Sequence, residues 1–193
     1  MEFDTRSSTK SGILQALGND EIRSTGVYGI AGISKTTLVK AVAGEALHAK
    51  LFCDAVEVMV SQSPNLEKIQ KEIAERLDIV FYKDGFKERA LESRHRLKNE
   101  KKFLIIIDNV WKQLGLLDIG VAFEDHLQGC KMLLTSRSQD VLRDEMVVKN
   151  IFEIAFVSKS DTWTCFWNII GDGSLSVHNN HEFGIGCRLC WIN

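Results

Sequence analysis

Hydrophobic positions along this chain alternate between two periods. Ser24 to Tyr28 has strand character and leads into a glycine-rich turn. From Thr36 to Ala49 the apolar residues Leu38, Val39, Val42, Ala46 and Leu47 then fall near one face of a helix. Phe52 to Val60 alternates as a strand, and Ser63-Pro64 supplies an N-cap followed by proline at the first helical position. The helix expected there carries Leu66, Ile69, Ile73 and Leu77 on one stripe. Glu67 with Lys71 and Glu72 with Arg76 are paired on its solvated side. Lys87 to Glu100 reads as a more charged helix with a thin apolar face of Leu91 and Leu97. Phe103 to Ile107 is a continuous apolar run ending in Asp108, the signature of a strand buried on both faces. Lys131 to Thr135 and Ile151 to Phe156 add two more strands.

Strands alternating with helices predict an α/β fold, a mainly parallel sheet covered on both sides, with ligands taken at the carboxyl ends of the strands. The glycine turn and Asp108 both lie at such ends. With 193 residues the chain can bury a substantial core, and 45% hydrophobic with 26% charged residues is ordinary for a soluble protein. A formal charge of −2 gives no general attraction to nucleic acid, so any phosphate recognition has to be local. The charged N-terminal residues form no secretory signal, and Phe103 to Ile107 is far too short to span a membrane. Five scattered cysteines read as free thiols of a reducing compartment, so a cytoplasmic location is expected.

The glycine turn carries the first chemistry. Gly29-Ile-Ala-Gly32-Ile-Ser34-Lys35-Thr36 approaches a P-loop, in which backbone N–H groups wrap phosphates, lysine reaches their oxygens and a hydroxyl holds magnesium. Ser34 occupies the second glycine position of that pattern. If the loop needs a left-handed conformation there, the Cβ costs roughly 1–2 kcal/mol, about tenfold in nucleotide affinity. Gly32 keeps flexibility inside the loop, and the following helix turns its positive end toward a bound anion. Asp108, delivered by an apolar strand about 70 residues later, is placed to hold magnesium together with Thr36. Arg137, after Leu133-Leu-Thr-Ser136, is a third strand-end group suited to a γ-phosphate.

Together these phrases resemble the nucleotide-binding part of plant NB-ARC disease-resistance proteins of the coiled-coil NBS-LRR class. The likeness is carried by Gly26 to Lys40, Val60-Ser-Gln-Ser-Pro-Asn65, Leu104 to Trp111 and Gly129 to Ser138. Phe3-Asp-Thr-Arg6 is similar to the segment before that family's P-loop, and Phe152 to Trp167 to its next block. The resemblance implies a P-loop NTPase of the STAND type, with five parallel strands in the order 5-1-4-3-2 flanked by helices and followed by an incomplete helical subdomain. The implied division is an N-terminal flank (1–23), the P-loop nucleotide-binding domain (24–156), the start of a truncated helical subdomain (157–170) and an irregular tail (171–193). It also implies ADP or ATP with magnesium as ligand. Gly29, Gly32, Ser34, Lys35, Thr36 and Thr37 would form the phosphate loop, Thr36 and Asp108 the magnesium site, and Arg137 the γ-phosphate sensor.

Asn109 departs from the family, which usually has there a second aspartate that orients or activates water. Asparagine cannot take up a proton as a carboxylate can, so hydrolysis is expected to be slow or absent. That argues against a kinase or vigorous ATPase. The sequence stops before the family's Gly-Leu-Pro-Leu and Met-His-Asp motifs and its leucine-rich repeats, and a receptor fragment is the expectation. The implied function is an ADP/ATP switch of an immune receptor, whose partners would be full-length receptors or other immune signalling proteins. A second reading is a degenerate interaction protein that keeps the fold without nucleotide. His178, His181, Cys187 and Cys190 form a weaker zinc-capable set, set against a disordered tail.

Overall fold

A computed structural model describes residues 3–99, 102–121 and 130–154 of the chain. Its strands are β1 (Ser24–Tyr28), β2 (Asp54–Met59), β3 (Phe103–Val110), β4 (Cys130–Ser136) and β5 (Asn150–Glu153). The helices are α1 (Phe3–Gly18), α2 (Lys35–His48), α3 (Leu66–Arg76), α4 (Phe86–Asn99) and the single turn α5 (Leu116–Ile119). A short π-helical turn covers Val141–Glu145. All strand pairs are parallel and the sheet order is β2-β3-β4-β1-β5, which is the expected 5-1-4-3-2 read from the other edge.

The two-residue period of the strands divides the core into two layers. Val56, Val58, Ile105, Ile107, Met132 and Leu134 face one side of the sheet, where they meet Ile69 and Ile73 of α3 and Leu97 of α4. Val27, Leu104, Ile106 and Leu133 face the other, against Val39, Val42 and Ala46 of α2 and Ile13 and Leu17 of α1. Each fully buried aliphatic side chain of this kind contributes roughly 1.5–3 kcal/mol relative to exposure. The same alternation sets the facing of the polar residues at the strand ends. Asp108 shares the parity of Leu104 and Ile106, and Thr135 that of Leu133, so both belong to the α2 side of the sheet.

Three local expectations need correction or addition. The N-cap of α3 is Asn65 rather than Ser63, because the Asn65 side chain accepts a hydrogen bond from the Lys68 N–H at 3.0 Å. Ser61 instead donates to the Ser63 carbonyl. Leu91 is 58% exposed, and the buried face of α4 is Ala90, Ser93 and Leu97 at helical spacing. Finally, α1 lies within the N-terminal flank and packs on α2 and β5, burying Ile13, Ala16 and Leu17. Its carboxyl end is met by Lys131 of β4, whose ammonium donates to the Asn19 carbonyl at 2.5 Å. The anticipated helical subdomain and tail, including His178, His181, Cys187 and Cys190, lie outside the described residues.

Cys130, at the start of β4, is buried, and burial pushes its thiol up to about 11. The neutral thiol is therefore favoured in the folded state, and its contribution is intact below the unfolded value near 9 and lost as pH rises through about 11. Between pH 9 and 11 the wild-type chain is expected to lose about 2 kcal/mol more stability than Cys130→Ala. Urea titrations at the two pH values measure the difference, and parallel losses would show that the buried thiol does not titrate as described.

Candidate functional site

The loop from Gly29 to Ser34 joins β1 to α2 and closes over the carboxyl edge of the sheet. Gly29 is tightly enclosed: a Cβ there would lie 3.1 Å from both the Ile154 carbonyl and Ile33 Cγ2. Gly32 has φ 78°, a left-handed value that glycine adopts freely. Ser34 is also left-handed, with φ 61° and ψ 37°, and its side chain makes no capping bond to α2. The conformational cost anticipated for a Cβ at this position is thus present.

Lys35 opens α2 and turns its ammonium back along the loop, donating to the carbonyls of Gly29 at 2.6 Å and Ile30 at 2.7 Å. Its pKa is lowered, first by burial and then by the nearby positive charge of Arg137, with Asp108 opposing. A lysine and an arginine brought close enough to repel each other form an electropositive place for an anion. Thr36 and Thr37 follow in the first turn of α2, where backbone N–H groups have no partner within the helix. From α1, Arg6 reaches the loop and donates to the Ile33 carbonyl at 3.0 Å.

Opposite the loop lies Asp108, 2% exposed. Thr36 Oγ1 donates to its Oδ2 at 2.7 Å, and Thr135 Oγ1 donates to its Oδ1 at 2.5 Å. A hydroxyl beside a carboxylate is a hard-oxygen donor set of the kind magnesium takes, with phosphate oxygens and water completing the shell. The residues present therefore fit a magnesium-bound phosphate.

Pairing between β3 and β4 shifts at this point. Ile107 faces Leu134 and Val110 faces Ser136, which leaves one extra residue in β3. Asn109 absorbs the bulge with φ 65°, a left-handed conformation that asparagine tolerates better than most residues. Its N–H donates to Thr135 Oγ1 at 2.9 Å, and its side-chain amide donates to the Val60 carbonyl at 3.2 Å. The Asn109 side chain is therefore tied to the end of β2. Arg137 is exposed, with its guanidinium 4.5 Å from the centroid of the Trp111 ring, a cation–π contact.

All the residues that the sequence marks for nucleotide and magnesium thus come to one edge of the sheet. The parts played by Thr135, Arg6 and the Val60 carbonyl were missed. Thr135 reads as an ordinary strand residue, and only its strand-end position beside Arg137 could have drawn attention to it.

Comparison with known proteins gives the family and the fold. The family described as NB-ARC domain matches residues 6–176. Disease resistance protein RFL1 of Arabidopsis thaliana is 30% identical over 172 residues, covering 86% of this chain and 19% of that protein. Disease resistance protein SUMM2 of the same plant is 31% identical over 163 residues, covering 82% and 18%. The chain therefore spans about a fifth of the length of these curated relatives. Among solved structures, Cdc6p from Pyrobaculum aerophilum superposes with a TM-score of 0.67 at 15% identity, over 86% of this chain and 49% of that one. At that identity the likeness speaks for the fold alone, and the fold is that of the P-loop NTPases.

Ser34→Gly removes a left-handed Cβ worth roughly 1–2 kcal/mol, partly offset by about 0.5–1 kcal/mol of extra freedom in the unfolded glycine chain. A rise in Tm of roughly 1–4 °C is expected for a domain of this size. Thermal melts of the two proteins measure it, and a lower Tm would mean that the strain at Ser34 is smaller than the entropy that glycine adds to the unfolded chain.

Proposed function

This chain belongs to the NB-ARC domain family, and from that membership we propose that it is an ADP/ATP-binding switch module of an intracellular plant immune receptor. The observation that carries the reading is the convergence of Lys35, Thr36, Asp108 and Arg137 at one edge of the sheet. Two cations, two oxygen donors and the amino-terminal end of α2 there meet the requirements of a magnesium-bound polyphosphate.

In this reading the N–H groups of the loop from Gly29 through Gly32 and Ser34 to Thr37 wrap the phosphates. Lys35 gives up its loop carbonyls to contact the β- and γ-phosphates. Thr36 and Asp108 hold magnesium, which neutralises phosphate charge when bound. Arg137, poised on Trp111, reads the γ-phosphate and so distinguishes ATP from ADP. ADP corresponds to a resting state and ATP to an active one, a difference that acts only through contacts specific to each state.

Asn109 supplies no base, and its amide is engaged with Val60. Hydrolysis by this chain alone is accordingly slow or absent. Full-length receptors and other immune signalling proteins are the proposed partners, and the cytoplasm the proposed location. Among the described residues no helix is long and apolar enough to cross a membrane.

Isothermal calorimetry with millimolar Mg-ADP and Mg-ATP is expected to show binding by the wild-type chain. Lys35→Ala, checked for folding by circular dichroism, should weaken it by about ten- to a hundredfold, as loss of charge-assisted hydrogen bonds predicts. Turnover should stay well below about one per second. No heat from either nucleotide, with no difference in Lys35→Ala, would leave the interaction protein without nucleotide as the better reading.

A further inference from the structure

We propose that Thr135 is a positioning residue for Asp108 and that its hydroxyl sets how strongly magnesium enhances nucleotide binding. This rests on the nucleotide-binding reading of the site.

Thr135 is fully buried. Its hydroxyl has one proton and two lone pairs. One lone pair is taken by the Asn109 N–H at 2.9 Å, and the proton goes to Asp108 Oδ1 at 2.5 Å. Both partners belong to the extra-residue irregularity in β3, so a single side chain of β4 fixes the bulge and the carboxyl together. With Oδ1 occupied, Oδ2 is the oxygen turned to Thr36, where it accepts at 2.7 Å.

A carboxyl torsion is otherwise broad and roughly two-fold. The Thr135 hydroxyl holds it in one setting before any ligand arrives. Magnesium needs near-ideal octahedral placement of its few protein oxygens, so a carboxyl free to swing holds it less well. Ser136, the next residue, provides the contrast. It is equally buried, but its hydroxyl donates to the Val110 carbonyl at 2.7 Å and makes no bond to Asp108. Losing it costs packing and two bonds to backbone groups, the Val110 carbonyl and the Ser138 N–H, without touching the carboxyl.

The test compares ADP affinity in excess magnesium with ADP affinity in EDTA, for the full chain and three variants. Thr135→Val keeps the shape and removes the hydroxyl. It should lower the magnesium enhancement by about three- to tenfold while leaving affinity in EDTA nearly unchanged. Thr135→Ser should keep the wild-type ratio, and Ser136→Ala should lower Tm at an unchanged ratio. A wild-type ratio in folded Thr135→Val overturns the inference, because a purely structural role would move Tm alone. Should Thr135→Val not fold, the wild-type chain still decides: adding magnesium to the ADP-bound protein should shift the Asn109 backbone amide resonance, and an amide that ignores magnesium overturns the coupling. If the wild-type chain binds no ADP in either condition, the nucleotide-binding reading itself falls and takes this inference with it.

Discussion

Asp108 accepts hydrogen bonds from hydroxyls on two sides, and the arrangement of the whole sheet edge depends on that pair of bonds. Thr36 comes from the start of α2 and Thr135 from the end of β4, with Asp108 between them on β3. A carboxyl group left without partners at this depth would cost several kcal/mol, so the three segments are held in one mutual position. The phosphate loop inherits its place from this arrangement, because Thr36 lies one residue after Lys35 and two after Ser34. Alternation in β3 and β4 makes the meeting possible, since it delivers Asp108 and Thr135 to the face on which α2 packs.

Two non-glycine residues hold left-handed conformations at this edge, and they differ in how the conformation is supported. Asn109 is held by its backbone bond to Thr135 and its side-chain bond to Val60. Ser34 has no capping bond of its own and stands where the P-loop pattern places glycine. The loop is nevertheless tied at other points: Lys35 binds its carbonyls, Arg6 binds Ile33, and Gly29 lies against Ile154. Strain confined to one residue can persist when its neighbours are so fixed.

Most of the sheet was legible because β3 and β4 are buried on both faces and read as apolar runs, while the α3 stripe of Ile69, Ile73 and Leu77 repeats at helical spacing. Asp108 was legible as the first polar residue after such a run. The strand order came from family resemblance rather than from the pattern, since periodicity carries no information about which strands are neighbours. The features that escaped depend on tertiary partners. The buried residues of α1, Ile13, Ala16 and Leu17, sit at helical spacing but only in its last two turns, behind a polar first half, so the helix as a whole shows its apolar face only beside α2 and β5. Leu91 looked like core because it is leucine, yet rotation of α4 turns Ala90 and Ser93 inward instead. Thr135 looked like a β-former, and its second role appears only once the register shift brings it to Asp108 and Asn109.

Whether this edge of the sheet holds a nucleotide is tested most directly by chromatography of the small molecules released on denaturing the chain, after gentle purification without added nucleotide. ADP or ATP is expected at a substantial fraction of one equivalent from the wild-type protein, and little from Lys35→Ala. Wild-type protein that is folded and free of nucleotide, indistinguishable from Lys35→Ala, would contradict nucleotide binding at this site.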